Sequence, residues 1–228
     1  MKVFCFDLDD TIYKEIEFLK SAYREIALFA AEKTNGCNAN IGAVAYDAML
    51  RAYYDGKNAF EVLNTIVGTP LPIEKYLDIY RNHKPDIRLD VKTERVLSTL
   101  KNTGGVLGLI TDGRSAQQRH KIEALGLYRF FEETDIVISE EFGTEKPSER
   151  NYNYFMERYP KADMYVYVGD NPQKDFVAPN HLGWETVGLC DNGENIHKQN
   201  VGVPMEYLPK LWIKNLTELP WLQGEVCR

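Results

Sequence analysis

The period of the hydrophobic positions changes along the chain, and the changes divide it. Lys2-Val3-Phe4-Cys5-Phe6 is β-branched and aromatic with little polar interruption, the pattern of a short buried strand. After Thr11 the period becomes helical. Ile16, Leu19, Tyr23, Ile26 and Ala30 form one apolar stripe, ended at Asn35-Gly36. Ile41, Val44, Ala45, Ala48 and Ala52 form a second, closed near Asp55-Gly56. A third helix is predicted over about 57–67, stopping at Gly68-Thr69-Pro70, and a fourth over about 72–81.

From Asp90 onward helices and strands alternate. The pattern predicts helices over 91–101, 115–124, 147–159 (Pro147 suiting a first turn) and 172–181. It predicts strands over 106–110, 136–138, 164–168 and 185–188, a loop over 190–207, a last strand at 210–214 and a closing helix at 216–222. Such alternation argues for βα units and a mostly parallel sheet, an α/β core flanked by helices. The expected division is a core of residues 1–13 and 88–228 with an all-helical domain, 14–87, inserted after the first strand.

Composition narrows the function. Among 228 residues 44% are apolar and 27% charged, ordinary for a globular protein. The net charge of −7 and the absence of any Lys/Arg run argue against a nucleic acid polymer as partner. No apolar run reaches membrane-spanning length, so no membrane partner is expected. Met1-Lys2 runs straight into the first strand, which leaves no room for a signal peptide. Cys5, Cys37, Cys190 and Cys227 show no metal-site or disulfide spacing, so the expectation is a cytoplasmic protein in a reducing compartment.

Four strand ends carry the candidate chemistry. Asp7-Leu8-Asp9-Asp10-Thr11 places two carboxylates at i and i+2 where the first strand turns. Thr111-Asp112-Gly113 follows the strand ending at Ile110, Lys146-Pro147-Ser148 opens a predicted helix, and Gly169-Asp170-Asn171-Pro172-Gln173-Lys174-Asp175 follows another strand. Singly, these read as an acidic turn, a common turn, a surface lysine and a helix cap. Jointly they lie at the carboxyl edge of one sheet, where open α/β folds bind ligands. Neighbouring carboxylates raise each other's pKa unless a cation sits between them.

These motifs resemble those of the haloacid dehalogenase superfamily of aspartate-nucleophile phosphotransferases. DLDDT (7–11), Thr111, Lys146 and GDNPQKD (169–175) match its four motifs, and the resemblance runs from residue 3 to about 190. It implies a Rossmann-like core and reads the helical insertion as a C1-type cap that closes over the active site. Asp10 stands where many members have Gly, a usual variant. Asp7 is implied as the nucleophile that forms an aspartyl-phosphate, and Asp9 as the general acid and base. Mg²⁺ is implied as cofactor, held by the Asp7 side chain, the Asp9 carbonyl and the Asp170 carboxylate. Thr111 and the Asp112 backbone N–H would bind the phosphoryl oxygens, and Lys146 would pair with Asp7 and the phosphoryl group. Asp175 would support the site from behind, with direct or water-mediated metal contact as the alternative.

The resemblance implies a Mg²⁺-dependent phosphomonoester hydrolase with nucleotidase-like relatives, acting on a small phosphorylated metabolite as a monomer or homodimer. A closing cap favours small substrates over phosphoproteins. A hexose-phosphate mutase (β-phosphoglucomutase-like) shares the motifs. A phosphonatase needs a Schiff-base lysine in the cap, for which Lys14, Lys20 and Lys33 lie in the right region. A degenerate binding or regulatory module would have lost Asp7, Asp9, Lys146 or Asp170, and all are present. Tyr13, Phe18, Tyr23, Tyr53, Tyr54 and Phe60 could stack on a nucleobase or flavin, or simply pack the cap helices together.

Overall fold

The computed structural model describes residues 1–35, 39–68 and 70–222. In chain order β1 (Lys2–Phe6) precedes α1 (Glu15–Asn35), α2 (Ala39–Tyr54), α3 (Ala59–Val67) and α4 (Ile73–Asn82). Next come α5 (Val91–Asn102), β2 (Val106–Thr111), α6 (Ser115–Ala124), β3 (Ile136–Ile138), α7 (Ser139–Phe142) and α8 (Arg150–Arg158). The chain closes with β4 (Met164–Gly169), α9 (Val177–His181), β5 (Glu185–Leu189) and β6 (Leu211–Ile213). The residues form two units, Met1–Ile16 with Arg88–Arg228, and Glu17–Ile87.

In the α/β unit six strands pair in parallel in the order β3-β2-β1-β4-β5-β6. β1 lies inside the sheet, and Val3, Phe4, Cys5 and Phe6 are all buried. A strand covered on both faces carries a continuous apolar run rather than an alternating one, which is why β1 reads as it does. The chain builds outward from β1 through β2 to β3, then returns to β1's other flank and builds outward again through β4, β5 and β6. The strand order therefore reverses beside β1, and the carboxyl ends of β1 and β4 meet at that switch point. The Asp7 N–H donates to the Val168 carbonyl (2.9 Å), prolonging the pairing one residue past β1. Cys5, Ile110, Tyr152, Phe155, Tyr167 and Trp184 share one apolar cluster.

The helical unit is held by its own aromatics. The Tyr23 and Phe60 rings lie 6.0 Å apart, Phe60 and Tyr76 5.6 Å, and Phe18 and Tyr80 5.3 Å. Phe18, Tyr23 and Phe60 thus pack helices, whereas Tyr54 is exposed. Asn58 caps α3 and Asp90 caps α5 through side-chain oxygens that accept first-turn N–H groups, each cap worth about 1 kcal/mol. In α2 Gly42, Ala45, Met49 and Ala52 are buried, while Val44, placed in the stripe by its periodicity, is exposed. No described helix is long and apolar enough to cross a membrane.

Three predicted helices change. α8 begins at Arg150, because turns occupy 145–149, with the Ser148 N–H on the Glu145 carbonyl (3.0 Å); the Lys146–Pro147 peptide is cis. α9 begins only at Val177, because the Asp175 carboxylate takes the N–H groups of Asp170 and Asn171 and folds 170–175 into a turn. The closing helix is two 3₁₀ turns, Leu216–Glu218 and Pro220–Leu222, with Pro220, which lacks an N–H, starting the second. The predicted stop residues Gly36 and Thr69, and Cys37 and Cys227, lie outside the described residues. Cys5 is buried and Cys190 half-buried, and both are free thiols.

Candidate active site

Asp7 leaves the end of β1 buried, and the Lys146 ammonium lies 2.8 Å from its Oδ1. The same ammonium is 2.7 Å from Asp175 Oδ1 and donates to the Tyr167 hydroxyl (3.2 Å). The Lys146 and Asp175 side chains are 0% exposed, so neither charge has solvent to fall back on. Burial pushes the Asp7 carboxyl up to about 7, even though Lys146 beside it pulls the other way. Burial alone would lower Lys146; Asp175 and Asp7 outweigh it and hold the ammonium well above its usual range.

Asp170 follows β4 at the adjoining strand end. Burial, with Asp175 and Asp7 nearby, pushes its carboxyl up to about 9. Asp175 Oδ2 accepts the N–H groups of Asp170 (3.1 Å) and Asn171 (2.8 Å). That approach needs Gly169, because a Cβ there would stand 2.5 Å from Asp175 Oδ2. One oxygen each of Asp7, Asp170 and Asp175 lie within 4.8 Å of one another. Lys146 engages one oxygen of Asp7, Asn195 Nδ2 donates to one of Asp170 (2.8 Å), and both oxygens of Asp175 are taken. Asp7 and Asp170 therefore retain donor capacity for a cation, and Asp175 braces them. An all-oxygen carboxylate set in which Asp175 raises the pKa of Asp7 and Asp170 fits a hard divalent ion such as Mg²⁺.

Asp9 faces different company. Its Oδ1 accepts from the Tyr13 hydroxyl (2.6 Å) and Lys121 Nζ (2.7 Å), and its Oδ2 from Lys121 Nζ (2.9 Å) and Gln118 Nε2 (2.9 Å). Burial would raise its pKa, but Lys121, Gln118 and Tyr13 together hold it below the usual carboxylate value. Glu15, 3.4 Å from Lys121, is pushed up to about 7 by burial and by Asp9. The structure thus holds Asp9 ionised.

Thr111 is buried at the end of β2, where its Oγ1 accepts from Gln118 Nε2 (2.9 Å). With that N–H on its lone pair, the threonine's own proton can be offered elsewhere. The same Gln118 amide donates to the Asp112 carbonyl (2.7 Å), so one side chain ties Asp9, Thr111 and Asp112 together. The Asp112 carboxylate turns to protein: Oδ1 accepts the Lys146 N–H (3.0 Å) and Oδ2 lies 3.2 Å from Lys174 Nζ.

The structure therefore brings Asp7, Lys146, Asp170 and Asp175 into one cluster. Thr111 and Asp112 lie at the next strand end, and Asp9 sits in a separate cage two residues from Asp7. Sequence reasoning missed Gln118, Lys121, Glu15, Asn195 and Gln199. The sequence carries no signal for Gln118 and Lys121: both are buried on α6, yet the helix reads as largely polar. Asp10 is the only described non-glycine at positive φ (57°), in the left-handed region that favours glycine. Its carboxylate accepts the N–H groups of Glu15 (3.0 Å) and Ile196 (3.0 Å).

Residues 4–189 match the family model of haloacid dehalogenase-like hydrolases. A glyceraldehyde 3-phosphate phosphatase of Methanocaldococcus jannaschii is 34% identical over 199 residues, covering 83% of this chain and 85% of that protein. The pyrimidine 5'-nucleotidase YjjG of Escherichia coli is 32% identical over 118 residues, 51% of this chain and 48% of that one. Among solved structures, the magnesium-bound Bacillus subtilis HAD-hydrolase YfnB superposes with a TM-score of 0.60 at 25% identity, covering 98% of each chain.

Proposed function

We infer what the site does from one premise: this chain belongs to the haloacid dehalogenase-like hydrolase family. Within that family it is a phosphatase, and we propose that it hydrolyses small phosphomonoesters through a phosphoryl group carried on Asp7. The observation that carries this reading is the buried Lys146 ammonium. It bridges Asp7 (2.8 Å) and Asp175 (2.7 Å) at the sheet's switch point, beside Asp170. A phosphoryl group resists a nucleophile while its oxygens carry unshielded charge, so catalysis is positioning plus neutralisation.

Asp7 attacks phosphorus with a carboxylate oxygen; that bond forms as the bond to the leaving oxygen breaks. Asp9, ionised beside Lys121 in the free site, takes up a proton from solvent before the step and gives it to the leaving oxygen. In the second step it takes a proton from the water that attacks phosphorus and releases Asp7. Thr111 donates its hydroxyl to a phosphoryl oxygen, with the Asp112 backbone N–H beside it. Lys146 keeps Asp7 oriented and offsets charge on the phosphoryl oxygens. Mg²⁺, held by the Asp7 and Asp170 carboxylates and the Asp9 carbonyl, would neutralise phosphoryl charge when bound. Asp175 orients Lys146 and the 170–171 backbone.

The substrate class is proposed from the relative matched over most of its length, whose name points to a three-carbon sugar phosphate. The nucleotidase matches half the chain and ranks pyrimidine nucleoside monophosphates second. The test is phosphate release from triose phosphates, nucleoside monophosphates, hexose phosphates, FMN and an aryl phosphate, each with Mg²⁺ and with EDTA. Release that needs the metal and concentrates on triose phosphates supports the reading. Release indifferent to EDTA, or from no compound in the panel, would overturn it.

A further inference from the structure

The loop after β5 reads from sequence as polar and irregular, yet it is tied to the candidate metal cluster at several points. Asn195 Nδ2 donates to Asp170 Oδ2 (2.8 Å), and Asn195 Oδ1 accepts from Lys14 Nζ (2.5 Å). The amide can face only one way, since an ammonium only donates and a carboxylate only accepts. Gln199 Nε2 donates to the Asp170 carbonyl (2.6 Å) and the Leu189 carbonyl (2.9 Å), while its Oε1 accepts the Asp191 N–H (3.1 Å). Asp191 Oδ1 accepts the N–H groups of Gly193 (2.7 Å) and Asn195 (3.2 Å), and the Ile196 N–H donates to Asp10 (3.0 Å). Residues 189–199 thus stitch the end of β5, both the backbone and side chain of Asp170, and the segment after β1 into one network.

We propose that Asn195 is a positioning residue for the metal site, fixing the rotation of the Asp170 carboxylate, with residues 190–199 as the strap that carries it. The proposal rests on reading Asp170 as a metal ligand. A loop that merely satisfied its own backbone would account for Asp191 but not for an amide aimed at a carboxylate clustered with two others. Backbone groups hold Asp175 on the other side, so Asn195 is the side chain seen to orient Asp170's oxygens. An outer partner of a ligating group typically changes metal affinity about 10–100-fold when removed.

The test is calorimetric titration of Mg²⁺ and Mn²⁺ into the full chain. Wild type is compared with Asn195→Ala, Lys14→Met and, as a control in the same loop, the exposed Asn192→Ala. Expected are affinity about 10–100-fold weaker in Asn195→Ala, a smaller loss in Lys14→Met and none in Asn192→Ala. The metal-free melting curve should stay as in wild type, and KM for an aryl phosphate at saturating metal should be unchanged. Asn195→Ala binding within twofold of wild type overturns the proposal. Should that variant fail to fold, Lys14→Met decides: weaker binding supports the strap, unchanged binding overturns it. If wild type binds neither ion, the reading of Asp170 as a ligand falls and takes this inference with it, a result distinct from equal binding by both proteins.

Discussion

Replacing Lys146 by methionine keeps most of the buried volume and removes the ammonium that pairs with both Asp7 and Asp175. Both carboxylates lie within 2.8 Å of it, and the lysine and Asp175 side chains are fully buried. Breaking such a pair on one side leaves uncompensated buried charge, which costs about 3–5 kcal/mol. For a chain of 228 residues that is about 6–20 °C in melting temperature. The cost should depend on pH. At low pH protons relieve buried carboxylate charge that the ammonium no longer balances. The loss should therefore be near its full size at pH 8 and clearly smaller at pH 5. Adding Asp175→Asn removes one orphaned charge, so the double variant should be less destabilised than the sum of the singles by about 1–3 kcal/mol. The assay is urea denaturation in EDTA at both pH values. A loss under 1 kcal/mol, or one equal at pH 5 and pH 8, would refute the claim that the ammonium is the electrostatic centre of the site.

Asp9→Asn should slow an alkyl phosphate about 10²–10⁴-fold in the first step and an aryl phosphate much less, since a phenol leaves with little help; equal losses in single-turnover measurements would refute the acid role. Lys121→Met frees Asp9 from its ion pair at 2.7 Å, so kcat should fall with KM nearly unchanged, whereas unchanged kcat would show that the pair only stabilises the fold. In EDTA the melting temperature should fall as pH rises from 5 to 9. Folding holds Asp7 up to about 7 and Asp170 up to about 9. The folded chain therefore binds more protons than the unfolded one above about pH 4, and the stability this supplies is lost as pH passes those values. Melting that rises over that range contradicts the assignment.

The strands of the core were legible because β1, β2, β4 and β5 are buried on both faces and carry unbroken apolar runs, which few other structures demand. The strand ends were legible because their polar residues follow those runs at once. The helices predicted from 147 and 172 start later because local turns hold the backbone over 145–149 and 170–175. Asp175 takes the N–H groups of Asp170 and Asn171 and folds 170–175 into a turn, and nothing in Asn-Pro-Gln-Lys-Asp announces this. Lys121 was passed over because a lysine on a polar helix usually points to water, and its partners Asp9 and Glu15 are more than one hundred residues away. Asn195 lies closer, yet still 25 positions along the chain from the carboxylate it holds. Pairings across such separations are set by topology, which periodicity does not encode.

The central claim is that Asp7 carries the phosphoryl group. It is tested most directly by acid-quenching Asp9→Asn during turnover of a ³²P-labelled aryl phosphate with Mg²⁺ and mapping the labelled peptide. Because Asp9 activates the water of the second step, the variant should accumulate close to one phosphate per chain, on Asp7 and released by hydroxylamine. An unlabelled protein that still turns the substrate over, or label at any residue other than Asp7, would contradict the account.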